Sequence, residues 1–198
     1  LVQICRALQY IHSRGFIHYD LKPNNVRITP NGQVKLMDFG LIGRLQRSDG
    51  RRARGTPAYI APELIRGEAV DHRVDLYSLG ISLYEIITGQ LPFDQGSSAL
   101  ILQIQEPTPI TLPPEVTETL PAPLCDLIHK LMAKDPDDRP DSANAIIREV
   151  NAMSERTYAM ETRETLQGYI HSGAFVGRES ELARLQGLLV RTQHGQGQ

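Results

Sequence analysis

The stretch that decides the reading is His18-Tyr19-Asp20-Leu21-Lys22-Pro23-Asn24-Asn25, followed by Val26 to Thr29, Pro30-Asn31-Gly32-Gln33, Val34 to Met37, and Asp38-Phe39-Gly40. Val26–Thr29 and Val34–Met37 read as short strands. The Asn31-Gly32 pair between them is a hairpin signal, because a tight hairpin turn needs positive φ. Antiparallel pairing then sets Asn25, just before the first strand, beside Asp38, just after the second. Asp20 lies five residues upstream of Asn25, in the loop leading into the same open end. Two carboxylates and one amide oxygen converge there, a hard-oxygen set suited to Mg²⁺ shared with phosphate and water. Lys22 adds a cation able to neutralise phosphate charge.

Helical periodicity surrounds this hairpin. Leu1, Ile4, Cys5, Leu8 and Ile11 recur on one face and predict a helix over 1–13, stopped by Gly15. A second helix is predicted over 72–88, with Asp71 as N-cap and Gly89 as stop. Ala99–Gln105 reads as a short helix. Leu124, Leu127, Ile128, Leu131 and Met132 mark another, and Ala143, Ile146, Ile147 and Val150 a last one, capped by Asp141 or Ser142. Residues 38–55 hold no hydrophobic period and carry Arg44, Arg47, Arg51, Arg52 and Arg54, which predicts an exposed loop. Residues 106–123, rich in Pro and Thr, are expected to run over the surface.

The 198 residues have 40% hydrophobic and 22% charged content, enough apolar material for a core and close to the ordinary globular mix. The net charge of -2 gives no indication of a nucleic-acid partner. Cys5 and Cys125, the only two cysteines, make neither a disulfide framework nor a zinc cluster and fit a reducing, cytoplasmic setting. The most apolar stretch, Leu76–Ile87, is interrupted by Ser78, Ser82 and Glu85 and predicts a buried helix rather than a membrane segment.

His18 to Asn25 resembles the H-R-D-L-K-P-x-N catalytic loop of eukaryotic-type serine/threonine protein kinases. Asp38-Phe39-Gly40 matches their D-F-G and Ala61-Pro62-Glu63 their A-P-E, in the family's order and spacing. Gly55-Thr56-Pro57-Ala58-Tyr59-Ile60 resembles the segment before A-P-E. Asp75-Leu76-Tyr77-Ser78-Leu79-Gly80 resembles the D-x-x-S-x-G of the long central helix, and Arg139 the family's late arginine. The resemblance covers roughly residues 1–153. It implies a mainly α, kinase-like C-lobe with a small β-hairpin at the catalytic loop, and no N-lobe. The glycine-rich loop, strand lysine and partner glutamate are therefore expected to be missing from this chain, which alone would be inactive.

The resemblance further implies ATP and Mg²⁺ as cofactors and a protein Ser or Thr hydroxyl as acceptor. Asp20 would receive the hydroxyl proton, Lys22 would contact the γ-phosphate, and Asn25 and Asp38 would hold the metal. Thr56 would bond Asp20 and Lys22, the serine/threonine-type pattern. Glu63 and Arg139 would form a buried ion pair, and Asp75 would accept backbone N–H groups near His18 and Tyr19. His18 is expected to pack against Phe39 rather than act as a base.

Two residues depart from the pattern: Tyr19 stands where the family has Arg, and Arg27 where it has an apolar residue under the adenine. They keep a rival reading in view, a pseudokinase or scaffold domain regulating a fused partner. Residues 154–172 are expected to be a linker. Phe175-Val176-Gly177-Arg178-Glu179-Ser180-Glu181-Leu182 then resembles the opening of AAA+/STAND-type NTPase domains, so 173–198 are expected to begin one.

Overall fold

The computed structural model describes residues 1–44, 55–94 and 99–161. The chain divides into two compact units, 1–160 and 161–198. The described helices and strands all lie in the first. The Phe175–Leu182 motif and Arg47, Arg51, Arg52 and Arg54 lie outside the described residues.

Helix α1 spans Val2–His12 and buries Cys5, Leu8 and Ile11. It faces α7, Ala143–Met153, which turns Ala143, Ile146 and Ile147 inward. Of the two candidate caps, Ser142 caps α7, its hydroxyl accepting from Ala145 N at 3.2 Å. Helix α3, Arg73–Thr88, is central, and every residue from Val74 to Ser82 is buried. Its two buried serines are satisfied inside, Ser78 Oγ donating to the carbonyls of Tyr59 and Val74 and Ser82 Oγ to that of Ser78, whereas the buried Tyr77 hydroxyl has no hydrogen-bond partner among the described residues. Helix α6, Ala122–Leu131, crosses α3 at Gly80. A Cβ there would lie 2.8 Å from Leu131 Cβ, so the absence of a side chain sets the approach of the two helices.

Two apolar clusters flank α3. One gathers Tyr59, Tyr77, Ile81, Ile104, Ile128 and Met132, and the other Cys5, Leu8, Leu76, Leu79, Leu127 and Ile146. Among the described residues, the short helices α2 (Pro62–Arg66), α4 (Leu100–Gln105) and α5 (Pro114–Thr117) complete the α-helical set. The stretch expected to wander over the surface is partly core: Leu112 is buried, and its N–H donates to His129 Nε2 at 3.1 Å.

Among the described residues, four short strands pair two by two. After β1 (Phe16–Ile17), β2 (Val26–Ile28) and β3 (Val34–Leu36) form the expected antiparallel hairpin, with Val26 opposite Leu36 and Arg27 opposite Lys35. Gly32 N donates to Thr29 O, Thr29 N donates to Gln33 O, and only Gly32 takes positive φ, 76°. Gln3 of α1 ties the hairpin down, donating to Gly32 O and accepting from Val34 N. β4 (Gly43–Arg44) pairs with β1, Ile17 opposite Gly43. The expectation of an unbroken loop over 38–55 misses this pairing, which two residues are too few to signal as a period. Helix α3 starts one residue later than expected, with His72 rather than Asp71 at the N-cap position; Asp71 still accepts from Arg73 N at 2.7 Å, and Gly89 closes the helix with φ 73°. At the end of the unit Tyr158 packs on the second cluster, and Asn151 exchanges two hydrogen bonds with its backbone.

Candidate active site

The loop 18–25 is held from below by α3. Asp75 is fully buried; Oδ2 accepts from His18 N at 2.8 Å and Oδ1 from Tyr19 N at 2.9 Å. A third donor, His12 Nε2, reaches Oδ2 at 2.7 Å. Such full satisfaction is what makes a buried carboxylate tolerable. The sequence pattern gives no sign of His12, which reads as one more polar residue in the last turn of α1.

His18 is a packed residue. Its Nδ1 accepts from Asp20 N at 3.3 Å and its Nε2 donates to Met37 O at 3.1 Å, so both ring nitrogens are used inside the fold. The edge of its ring meets Phe39, with centroids 5.3 Å apart.

Asp20 is the hub. Its Oδ1 accepts from Thr56 N at 3.0 Å and Thr56 Oγ1 at 2.9 Å; its Oδ2 accepts from Lys22 Nζ at 2.9 Å and Asn25 Nδ2 at 3.0 Å. Lys22 Nζ also donates to Thr56 Oγ1 at 2.5 Å, and Asn25 Nδ2 to Asp20 O at 2.7 Å. Burial alone would raise the Asp20 carboxyl. The hydrogen bonds from Lys22 and Thr56 outweigh it, and the group sits below the usual carboxylate range. Asp20 is therefore an ionised, oriented acceptor at neutral pH.

Asp38 follows β3 across from Asn25, whose carbonyl accepts from Met37 N at 2.7 Å. Its backbone is left-handed, φ 59°, and the side chain is exposed, with Oδ1 accepting from Gly40 N at 3.2 Å. Asn25 spends its amide N–H groups on Asp20, which leaves its Oδ1 as the acceptor. One amide oxygen and one carboxylate are a hard donor set that fits Mg²⁺, an ion that keeps water and phosphate oxygens in its remaining positions. Among the described residues no group of three or more His, Cys, Asp or Glu could hold a metal, so any metal here depends on such outside ligands.

The remaining predicted residues form a separate support. Arg139 and Glu63 make a bidentate buried pair, 2.6 and 2.8 Å, behind the segment that ends in Ala61-Pro62-Glu63. Tyr59 Oη donates to Glu85 at 2.5 Å; burial and then that neighbouring carboxylate push the phenol up, so it stays a donor. Neither Tyr59 nor Glu85 stands out in the sequence as a linked pair, because 26 residues separate them. Arg27 is exposed on the hairpin.

An ionised carboxylate fixed by a threonine and a lysine, beside an oxygen pair fit for a cation, on a helical lobe, is an arrangement that can support phosphoryl transfer. The family model "Protein kinase domain" matches residues 1–168, and the chain belongs to that family. It is 36% identical over 158 residues to a probable serine/threonine-protein kinase of Clostridium perfringens, covering 78% of this chain and 23% of that protein. It is 39% identical over 149 residues to the serine/threonine-protein kinase PknB of Mycolicibacterium smegmatis, covering 72% and 24%. With the serine/threonine-protein kinase Pkn1 of Myxococcus xanthus it shares 36% over 179 residues, covering 85% and 25%. The chain thus spans about a quarter of the length of these relatives.

Proposed function

We propose that the protein is a serine/threonine protein kinase that transfers the γ-phosphoryl group of ATP to a Ser or Thr hydroxyl of a protein. The observation that carries this is the Asp20 carboxylate, its two oxygens oriented by Thr56, Lys22 and Asn25. In the transfer the substrate oxygen bonds to phosphorus, the bond from phosphorus to the β–γ bridging oxygen breaks, ADP leaves, and Asp20 receives the hydroxyl proton. Lys22 places its ammonium where charge spreads over the transferred group. Asn25 and Asp38 would hold Mg²⁺, which neutralises phosphate charge when bound. Positioning supplies most of the rate, which fits a site built from fixed hydrogen bonds rather than from one strongly shifted base.

The relatives are named as serine/threonine kinases, and the Thr56–Lys22–Asp20 network supports the same hydroxyl specificity. Ile28, Met37, Phe39 and Leu41 are exposed around the hairpin, which supports a reading in which a separate nucleotide-clamping lobe covers this face. No glycine-rich loop with a strand lysine occurs in these 198 residues, so we place that lobe outside them. The 198-residue chain alone is then expected to transfer no phosphate. We further read Phe175–Leu182 as the opening of a fused NTPase domain, and the two free, buried cysteines as fitting a cytoplasmic setting.

The test is transfer from γ-labelled ATP to serine- and threonine-containing peptides by the full-length protein, with and without Mg²⁺. The expected result is Mg²⁺-dependent labelling that Asp38→Asn abolishes. Nucleotide binding without transfer would favour a pseudokinase scaffold instead.

A further inference from the structure

Tyr19 sits between two anchored residues, and its neighbours are shaped around it. Its backbone is left-handed, φ 66°, a conformation unusual for a bulky side chain. Asp75 holds it there through the N–H bond described above. The ring is directed at β4 and packs against the apolar cluster around Tyr59 and Tyr77. A Cβ built on Gly43 of β4 would lie 2.8 Å from Tyr19 Cε2. A Cβ built on Gly55 would lie 2.5 Å from the Tyr19 carbonyl oxygen. One residue of the catalytic loop therefore touches the chain at positions 43 and 55, and at both the space for a side chain is taken by Tyr19.

These contacts lead straight to the hub. Gly55 precedes Thr56, whose N–H and hydroxyl hold Asp20 Oδ1. Gly43 pairs with Ile17, which precedes His18. A shift of the Tyr19 ring moves β4 against β1, and a shift of its carbonyl moves Thr56 against Asp20. Neither contact requires a charge.

We propose that Tyr19 is a positioning residue that sets the flanks at Gly43 and Gly55 against the catalytic loop by shape, and so fixes the Thr56–Asp20 geometry. This rests on the kinase reading of the site and adds how that site is held in its working arrangement. The 43-to-19 contact is steric, so it has a signature that a general loss of stability lacks: the effects of changing its two members are not independent.

The experiment is a double-mutant cycle in the full-length protein, Gly43→Ala, Tyr19→Ala and the two combined, with Tyr19→Phe as the ring-preserving variant. Gly43→Ala is expected to lower kcat for a peptide by about 10-fold or more while nucleotide KM changes less than about twofold, because a small misplacement is read mainly in the chemical step. The pair is expected to be no slower than Tyr19→Ala alone, and Tyr19→Phe to restore most of the rate lost in Tyr19→Ala. Hydrogen exchange of the amides at 18–20 and of Gly55 and Thr56, read on the same variants, gives a second measure that needs no turnover. Faster exchange in Gly43→Ala, with no further increase on adding Tyr19→Ala, supports the proposal even if the wild type transfers no phosphate, an outcome that would sink the kinase reading alone. Wild-type rate and exchange in Gly43→Ala, or losses in the pair that multiply, would overturn it.

Discussion

Removing Arg139 should destabilise the fold more than removing its partner Glu63, and the structure says why. The Glu63 side chain is 2% exposed, and both donors to its carboxylate among the described residues belong to Arg139. Arg139→Ala leaves that carboxylate buried with no donor, at the upper end of the about 3–5 kcal/mol that breaking a buried pair costs. Arg139 has other partners: it donates to the carbonyls of Ala133, Arg73 and Lys134, and its guanidinium lies 4.9 Å from the centre of the Tyr77 ring. Glu63→Ala therefore leaves a cation that is still largely hydrogen-bonded, with a cost at or below about 3 kcal/mol. Equilibrium unfolding in urea measures both, provided the m-value is unchanged. The paired replacement Glu63→Leu with Arg139→Met should be more stable than Arg139→Ala, because no charge is left buried. Equal costs for the two single variants, or a larger cost for Glu63→Ala, would refute this reasoning.

Other outcomes follow from the same structure. Gly80→Ala should destabilise by about 1–3 kcal/mol in thermal or urea unfolding although alanine favours helix, because the new methyl meets Leu131 and Met132 of the crossing helix. Burial pushes the Cys5 thiol up to about 12, so it should resist iodoacetamide in the native protein and react once the chain is unfolded in urea, by mass spectrometry. The Asp20 carboxyl is held below its ordinary value, so its contribution to stability is present above the unfolded value of about 3.9 and is lost only as pH falls through the lower folded value. Asp20→Asn should accordingly leave the stability difference from wild type flat from neutral pH down to about pH 4, by urea titration at each pH.

Much of this was legible because periodicity and short motifs report different things. The spacing of Leu8, Ile11, Leu127, Leu131, Ile146 and Ile147 reports which helix faces are buried, and α1, α3, α6 and α7 form within two or three residues of the expected limits. The loop and hairpin motifs report chemistry, and Asp20, Lys22, Asn25 and Thr56 do meet in one hydrogen-bonded network. Long-range contacts with no local signature were out of reach. His12 beneath Asp75, Tyr59 against Glu85 and the two-residue pairing of β1 with β4 all depend on tertiary packing. The burial of Leu112 within 106–123 has no local signal: the prolines and threonines around it mark irregular backbone, and irregular backbone can still be buried when a side chain such as His129 satisfies its N–H.

We propose Asp20 as the acceptor of the substrate proton. The measurement that tests it most directly is single-turnover transfer of labelled phosphate to a serine- or threonine-containing peptide, comparing full-length wild type with Asp20→Ala at saturating ATP and Mg²⁺. The expected result is a rate lower by roughly 10²–10⁴-fold with nucleotide affinity nearly unchanged. Equal rates in the two proteins would contradict it.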